Sequence, residues 1–301
     1  MSATAPRRDV VTQETEAVTR VTDGMIVAVG GFINSGHPMA LVRQLVRQGR
    51  RDLVLVGAAS AGLDVDMMVA AGCVRRVVAP YVGAEGLVGI GPAFRHAVQN
   101  ELVEVWDLDE ALYYAGLRAA AQGLPFNPWR AGVGTSLPEL NPDLKVFSDP
   151  IQDQQLIAVP AIEIDVALVH TAIADRHGNA QHHGTGYGDR AIHAASRVTL
   201  VAVERLVSTE EIRQDPRATS IPDADAVVRT PYGCHPFGSE GAYPPDLQHL
   251  AEYLEAARKM LKSDDRGELD AYLRHYILEP EDHTGYLERV GLRRLLSLSE
   301  Y

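Results

Sequence analysis

A glycine-rich segment is the first feature of the sequence whose residue types suit chemistry. Residues 30–38 read GGFINSGHP and follow the apolar run 25–29, MIVAV. Closely spaced glycines let backbone N–H groups approach a ligand, and the amino end of a following helix favours negative charge. The segment fits neither the P-loop pattern GxxxxGK[ST] nor the dinucleotide pattern GxGxxG. It therefore predicts either a tight strand-to-helix turn or a loop that binds a negatively charged group.

Two carboxylates, Asp109 and Glu110, stand between the apolar run 102–106 and the helical pattern 111–122. Acidic residues in the first turn of a helix stabilise it through the helix dipole. Alternatively, a carboxylate at this point lies at the carboxyl edge of a parallel sheet, where α/β proteins bind ligands. Without further information, the first interpretation is favoured.

Other polar segments have ordinary structural explanations. Ser60 lies in AASAG, which lacks the first glycine of the GxSxG nucleophile elbow, so a turn of small residues is expected. No HExxH motif occurs, and loop histidines that are solvated or hydrogen-bonded are expected at His170, His177, His182, His183 and His193. The stretch 118–136 contains two arginines among several glycines, which suits either an anion or an ordered surface loop.

The elements that must position these residues follow an alternating pattern. Short apolar runs typical of buried strands alternate with helical patterns from residue 25 to residue 122, and again from residue 156 to residue 204. This predicts an α/β fold with an open, mostly parallel sheet and helices on both faces. Residues 124–155 are richer in Pro, Gly and Asn and are expected to run irregularly over the surface. We predict an α/β domain at 1–245 and a helical C-terminal extension at 246–301, packed on it. The strongest helical pattern of this extension predicts a helix over 247–263.

Composition excludes several functional classes. The chain has 301 residues, 46% apolar and 23% charged, as in ordinary globular proteins. Its net charge of −12 argues against non-specific binding to nucleic acid. No apolar run is long enough to span a membrane, and residues 1–20 lack the apolar core of a signal peptide. A cytoplasmic protein is expected, with Cys73 and Cys234 as reduced thiols, and residues 7–20 are expected to form a short amphipathic helix.

Five segments between residues 30 and 207, taken together and in order, resemble the α (A) subunits of family I CoA-transferases. They are Gly30-Gly31-Phe32…Gly36-His37-Pro38, Pro80-Tyr81-Val82-Gly83, Arg118-Ala119…Gly123-Leu124-Pro125…Gly134-Thr135, Ala174-Asp175-Arg176-His177-Gly178-Asn179-Ala180 and Val203-Glu204-Arg205-Leu206-Val207. The resemblance implies a substrate- and CoA-binding loop formed by Gly30, Gly31, Phe32, Asn34, Ser35, Gly36 and His37. It implies further pocket residues at Tyr81, Gly83, Arg130, Gly134 and Thr135.

The same resemblance implies a partner and a mechanism. Such chains pair with a β subunit of related fold, often as an α2β2 assembly. A β-subunit glutamate attacks an acyl-CoA, a covalent glutamyl-CoA thioester forms, and CoA passes to a second carboxylate by ping-pong kinetics. The CoA thioester is then a substrate and no permanently bound cofactor or metal is implied. This chain would supply part of the acyl pocket.

Glu110 departs from one branch of this pattern, because the β-oxoacid transferases carry glutamine at that position. The sequence around Glu110, from Asp107 to Gly134, resembles that of glutaconate-type transferases. It also resembles the α subunit of CoA-thioester hydrolases that open rings in steroid catabolism. In those hydrolases the corresponding glutamate acts as a general base, which is the catalytic role implied for Glu110. The loop 30–38 is closer to the transferases. CoA transfer is therefore the first interpretation, ring-opening hydrolysis the second, and a non-catalytic, pocket-completing subunit the third.

Overall fold

The computed structural model describes residues 8–298. Within these residues, twelve strands form a nine-stranded and a three-stranded sheet. The strands are β1 (Ile26–Val29), β2 (Leu53–Val56), β3 (Val74–Val78), β4 (Glu104–Val105), β5 (Phe126–Trp129), β6 (Lys145–Ser148), β7 (Gln155–Pro160), β8 (Ile164–Ala174), β9 (Ala180–Gln181), β10 (Ser196–Leu206), β11 (Thr219–Ile221) and β12 (Ala226–Arg229). The α-helices are α1 (Glu14–Ala17), α2 (Met39–Arg47), α3 (Leu63–Ala70), α4 (Pro92–Gln99), α5 (Glu110–Ala121), α6 (Leu137–Leu140), α7 (Asp189–Ala194), α8 (Thr209–Ile212), α9 (Leu247–Ser263), α10 (Gly267–Leu273), α11 (His283–Val290) and α12 (Leu292–Ser297).

The main sheet is parallel along the order β4-β3-β2-β1-β8-β10-β12. From β1 the chain moves outward to β4, then returns to place β8 on the other side of β1, with Val27 opposite Val166. β9 pairs antiparallel with the end of β8, and β11 with β9. The strand order therefore reverses between β1 and β8, and open α/β sheets bind ligands at the carboxyl edge beside such a point.

Both faces of the sheet are buried. Successive side chains of a strand point to opposite faces, so Val27 and Leu55 join one hydrophobic cluster while Ala28 and Val56 join another. Side chains of α2, α3, α4 and α9 complete the first cluster, and those of α5 and α7 complete the second. This explains why the strands are continuous apolar runs. The predicted α/β sheet with helices on both faces is confirmed.

The expectation that residues 124–155 lack regular structure is wrong. They contribute β5, α6 and β6, and the two strands pair antiparallel with β7 in the second sheet. Ile157 and Val159 of β7 are fully buried in the same hydrophobic cluster as α5, which fastens this small sheet to the core. Pro128 is compatible with β5 because β5 is an edge strand, where a missing N–H need not interrupt the pairing.

The two ends of the described chain pack against the sheet. Helix at 7–20 was expected, but α1 covers only 14–17 and one 3₁₀ turn covers 18–20, while Val11 forms a parallel bridge with Val227; residue 7 lies outside the described residues. The helix predicted at 247–263 is present as α9, and its Leu250 and Tyr253 lie in the first hydrophobic cluster. Among residues 8–298, every helix is too short or too polar to cross a membrane.

Candidate active site

The glycine-rich segment forms a closed loop at the carboxyl end of β1. The N–H of Phe32 donates to the carbonyl of Ser35 at 2.8 Å, and the N–H of Ser35 donates back to Phe32 at 3.0 Å. Gly31 has a φ of +101°, and a Cβ there would lie 2.8 Å from the backbone nitrogen of His37. Glycine is thus required at this position both by conformation and by space. Ile33 has a φ of +53°, an unfavourable conformation for a β-branched residue.

A buried carboxylate at the start of α7 supports the loop. Asp189, the first residue of α7, is 1% exposed, and its Oδ1 accepts a hydrogen bond from the N–H of Gly31 at 2.9 Å. Its Oδ2 lies 3.0 Å from Nε2 of His182, whose Nδ1 lies 2.6 Å from Oγ of Ser220. A Cβ on Gly30 would overlap Asp189. Asp189 therefore sets the direction of the chain as it leaves β1.

The segment 233–239 holds the opposite side of the loop. The N–H of Gly36 donates to the carbonyl of Gly238, and the N–H of Gly238 donates to the carbonyl of Asn34, both at 2.9 Å. The N–H of Ala40, in the first turn of α2, donates to the carbonyl of Gly233 at 2.9 Å. The loop is thus clamped between α7 and a segment about 200 residues later in the sequence.

His37, a residue of the predicted binding loop, lies inside the protein. Its ring is fully buried, with Nδ1 3.0 Å from Oδ2 of Asp64 and Nε2 3.1 Å from the carbonyl of Ile33. The ring of Phe237 packs against it, with centroids 4.4 Å apart. The structure therefore places His37 beneath the loop, where it supports the turn at Ile33.

The groups that the loop leaves available to a ligand are few. The N–H groups of Gly30, Gly31, Phe32, Ile33, Ser35 and Gly36 all have acceptors. The N–H of Asn34 has no acceptor among residues 8–298, and Oδ1 of Asn34 is buried without a partner there. The ring of Phe32 stacks on Tyr187 with centroids 4.9 Å apart. The half-buried Asn34 amide and this aromatic pair are the surface that the loop offers.

Tyr81 and Gly83 adjoin the loop through the turn that follows β2. The N–H of Ala61 donates to the backbone carbonyl of Tyr81 at 3.1 Å, and the N–H of Gly83 donates to the backbone carbonyl of Ala61 at 3.0 Å. One residue earlier in that turn, the carbonyl of Ser60 accepts the N–H of Ile33 at 2.8 Å. The carboxyl ends of β1, β2 and β3 therefore form one continuous edge, and the segment containing Ser60 is the turn of small residues that was expected.

Glu110 reaches the same edge from the second face of the sheet. It is the exposed first residue of α5, and Asp109 caps that helix by accepting the N–H of Leu112 at 2.8 Å. Burial, the negative charge of Glu110 and that of Asp189 raise the pKa of Tyr114. A Cβ on Gly188 would lie 3.1 Å from the Tyr114 hydroxyl. Tyr114 therefore links the two regions, because the charges of Glu110 and Asp189 both act on it and its hydroxyl adjoins Gly188.

The remaining predicted pocket residues lie apart from the loop. Arg130, Gly134 and Thr135 follow β5 on the small sheet and are exposed. The hydroxyl of Thr135 donates locally to Gly132 at 2.7 Å. Within residues 8–298, no hydrogen bond, ion pair or ring contact joins these three residues to the loop 30–36. The structure therefore does not bring them to the site.

A polar cavity beside the loop is lined in part by residues that were not predicted to belong to the site. It measures about 20 Å³ and is lined by Ser35, Gly36, His170, Thr171, Ala172, His182, His183, Thr185, Tyr187, Asp189, Ser239 and Glu240. Nε2 of His170 lies 3.0 Å from Glu204, which also accepts the hydroxyl of Tyr243 at 2.7 Å. A volume of this size admits about one water molecule. Asp189 gave no sequence signal, because nothing in its spacing relates it to Gly31.

One buried cluster contains side chains of the types that bind metal ions, but other side chains of the protein already hydrogen-bond to two of the three. Ligand atoms of His235, Asp246 and His249 all lie within 4.8 Å of one another. The guanidinium of Arg294, however, donates to both carboxylate oxygens of Asp246. Nδ1 of His235 lies 2.6 Å from the hydroxyl of Tyr286. A cation at this position would meet Arg294 at close range, so the cluster fits a structural network better than a metal site.

Known proteins resemble this chain over most of its length. The family model for coenzyme A transferase matches residues 11–229. An uncharacterized protein of Archaeoglobus fulgidus is 36% identical over 296 residues; the match covers 95% of this chain and 64% of that protein, so this chain spans less than two thirds of it. The A subunit of glutaconate CoA-transferase from Acidaminococcus fermentans is 31% identical over 92% of this chain and 90% of its own length. The cholesterol ring-cleaving hydrolase IpdA subunit of Mycobacterium tuberculosis is 34% identical over 80% of this chain and 86% of its own length.

The crystal structure of glutaconate coenzyme A-transferase from Acidaminococcus fermentans has the same fold. It superimposes with a TM-score of 0.90 at 30% identity and covers 97% of this chain and 96% of that chain. The resemblance read from the five sequence segments is thereby confirmed at the level of the family. The chain belongs to the coenzyme A transferase family, among the relatives of its A subunits.

Proposed function

We propose that this chain is the α (A) subunit of a two-subunit enzyme that moves CoA between an acyl-CoA and a carboxylic acid. The observation that carries the proposal is the closed loop 30–36, held by Asp189 and Gly238 at the point where the strand order reverses. It lies in a chain that matches the A subunit of a glutaconate CoA-transferase over nine tenths of both sequences. The loop offers a fixed amide and an aromatic surface, which suit a thioester carbonyl and its acyl chain.

The proposal includes a β subunit that completes the site. The cavity beside the loop, about 20 Å³, is far too small for a CoA thioester. The buried carboxylates that adjoin the loop, Asp64 and Asp189, lie against His37 and His182. Glu240, at the rim of the cavity, accepts the N–H of Thr185 at 2.8 Å. On the resemblance to the A subunits of such transferases, we assign the glutamate nucleophile to the partner chain, in an α2β2 assembly. A cytoplasmic location stays a prediction.

The chemistry then divides between the two chains. The partner glutamate attacks the thioester carbonyl carbon, and the C–S bond breaks to give an acyl–glutamyl anhydride and CoA thiolate. The thiolate attacks the glutamyl carbonyl, releasing the first carboxylate and leaving a glutamyl-CoA thioester. The acceptor carboxylate reverses both steps. In each addition an oxyanion forms, and the Asn34 N–H, which has no acceptor among residues 8–298, is the loop amide that we assign to stabilise it.

Co-expression with the neighbouring gene tests this division. Incubation of the complex with acyl-CoA followed by borohydride should abolish activity, because the reductant attacks the glutamyl thioester. Peptide mass mapping should place the reduced residue on the partner chain. Complex treated with borohydride alone is the control and should stay active. CoA-transferase activity from the isolated chain at the rate of the complex would overturn the two-subunit proposal.

Hydrolysis of a cyclic CoA thioester is the second candidate, because Glu110 is exposed at the same edge and its charge reaches Tyr114. An exposed carboxylate at the mouth of the site suits a general base that activates water. The two candidates differ in their need for an acceptor acid. Transfer requires a second carboxylate for steady turnover, whereas hydrolysis proceeds without one and is insensitive to borohydride.

A further inference from the structure

A second cavity lies at the amino edge of the sheet, opposite the loop 30–36. It measures about 410 Å³. It lies between the chain entering β2 and β3 on one side and, on the other, helix α10 with the π-helical segment Arg274–Leu278 that follows it. Five of its lining residues are arginines, in a chain whose net charge is −12: Arg47, Arg50, Arg51, Arg266 and Arg274. The one acidic lining residue is Asp270.

Two of the arginines build the walls of this cavity. Arg47 pairs with Glu14 at 2.8 Å and donates to the carbonyl of Ile277 at 3.3 Å, which joins α2 to the π-helical segment after α10. Arg266 pairs with Asp270 at 3.0 Å and donates to the carbonyl of Ala70 at 2.8 Å, which joins α10 to α3. The cavity therefore has fixed walls before any ligand enters.

The other three arginines have no carboxylate partner in the described part of the chain. Arg50 donates to the side chain of Gln48 at 3.0 Å, and its Nε is buried without a hydrogen-bond partner there. The exposed guanidinium groups of Arg51 and Arg274 make no hydrogen bond or ion pair within residues 8–298. Three like charges around one cavity repel one another unless an anion lies among them.

We infer that this cavity binds a small phosphate-bearing anion, either diphosphate itself or the phosphate groups of a nucleotide. Guanidinium groups present paired N–H donors that match phosphate oxygens. The volume lies within the range of small-ligand sites. The apolar wall formed by Val46, Ala70 and Leu273 leaves a surface for the organic part of such a ligand. The inference does not depend on the proposed CoA transfer, which uses the opposite edge of the sheet.

Calorimetric titration of the full chain with inorganic diphosphate in low salt tests the site. Saturable binding to one site is expected, weakening as NaCl is raised. The triple variant R50Q/R51Q/R274Q should bind at least about tenfold more weakly. The control R95Q/R213Q/R217Q removes the same charge at exposed arginines outside the cavity and should bind within about twofold of the native chain.

A second arm identifies the source of the phosphate. Adenosine 3′,5′-bisphosphate replaces diphosphate, and binding about tenfold tighter than that of diphosphate, lost in the same triple variant, would assign the site to a nucleotide. The single variant R274Q removes an exposed side chain that makes no polar contact within residues 8–298, so it should fold like the native chain. It should nevertheless bind the anion more weakly, which separates loss of binding from loss of folding. The inference is overturned if the native chain shows no saturable binding of either anion, or if the triple variant and its control bind equally. Binding of an oligoglutamate peptide without binding of either anion would also overturn it.

Discussion

Asp189 and Gly31 are separated by 158 positions, yet the carboxylate of one accepts the backbone N–H of the other at 2.9 Å. The same carboxylate orients His182 through its second oxygen. A charged acceptor holds an amide more firmly than a neutral one. The peptide that begins the closed loop after β1 is therefore fixed by a residue of α7. Helix α7 comes after β8 in the chain, and the strand order reverses between β1 and β8.

Replacement of Asp189 by alanine leaves the Gly31 N–H and the His182 ring without their acceptor. We expect the free energy of unfolding to fall by about 1–3 kcal/mol, since a buried donor is left unsatisfied. In the complex with its partner we expect kcat/KM to fall by about 10- to 100-fold, because the loop loses its orientation. Urea unfolding and steady-state kinetics measure the two effects. Glu281→Ala, at an exposed carboxylate that makes no hydrogen bond or ion pair within residues 8–298, is the control, and equal behaviour of the two variants would contradict the role of Asp189.

Glu110→Gln separates the two candidate activities. If the nucleophile lies on the partner, the change should lower kcat/KM for CoA transfer by less than about threefold. Stability should also be preserved, because Asp109 rather than Glu110 caps α5. Asp109→Asn is the matched control for effects on the helix. Loss of acceptor-independent ring-opening hydrolysis of a cyclic CoA thioester in Glu110→Gln would instead identify this residue as a general base.

Ile33 occupies a left-handed conformation in the turn of the loop. Glycine adopts this conformation freely, so Ile33→Gly should raise the free energy of unfolding by up to about 1 kcal/mol. The freer turn should also lower kcat/KM severalfold, since the adjacent Asn34 N–H is then less fixed. Ile90→Gly, at a 52% exposed isoleucine without a positive φ, should give no stabilisation. Greater destabilisation by Ile33→Gly than by Ile90→Gly in urea unfolding would contradict strain at Ile33.

Asp66 predicts a specific dependence of stability on pH. Burial raises its pKa to about 6, although it accepts hydrogen bonds from the N–H of Phe94 and the hydroxyl of Tyr253. Between its ordinary pKa and about 6, the folded state binds more protons than the unfolded state, so stability falls as pH rises. Asp66→Asn removes this effect, and its stability relative to the native chain should increase by about 2–3 kcal/mol from pH 4 to pH 7. Urea unfolding across this range measures the difference, and a difference that does not change with pH would show that Asp66 does not titrate there.

Six strands of the main sheet, β1, β2, β3, β4, β8 and β10, could be predicted because each lies in or beside a short apolar run. The strands β9, β11 and β12 of the same sheet were not predicted. Helix 247–263 was predicted with its observed bounds, since its apolar positions repeat with helical spacing over 17 residues. The small sheet was missed because Phe126–Trp129 contains a proline and none of its four residues is buried, so its sequence is not a continuous apolar run. Its pairing with Gln155–Pro160 is a tertiary contact, and no local pattern records such a contact.

The site could be predicted only in part, for the same reason. The loop 30–38 has a local signature. The resemblance to the family implied further pocket residues, of which Tyr81 and Gly83 adjoin the loop in the structure through the turn after β2. Asp189 is specified by a contact across the fold, and His37 could not be assigned to the interior from its neighbours alone. Arg130, with an equally suggestive local sequence, lies on the small sheet away from the loop.

The hydrogen bonds between the loop and the segment 233–239 make the two parts open together. The amides of Gly36, Ala40 and Gly238 all cross this boundary. The same segment carries His235, which Asp246 and Tyr286 hold to the C-terminal helices. Fraying of those helices would therefore release the loop, and amide hydrogen exchange at these three residues should follow the opening of the C-terminal region rather than local fluctuation of a glycine-rich turn.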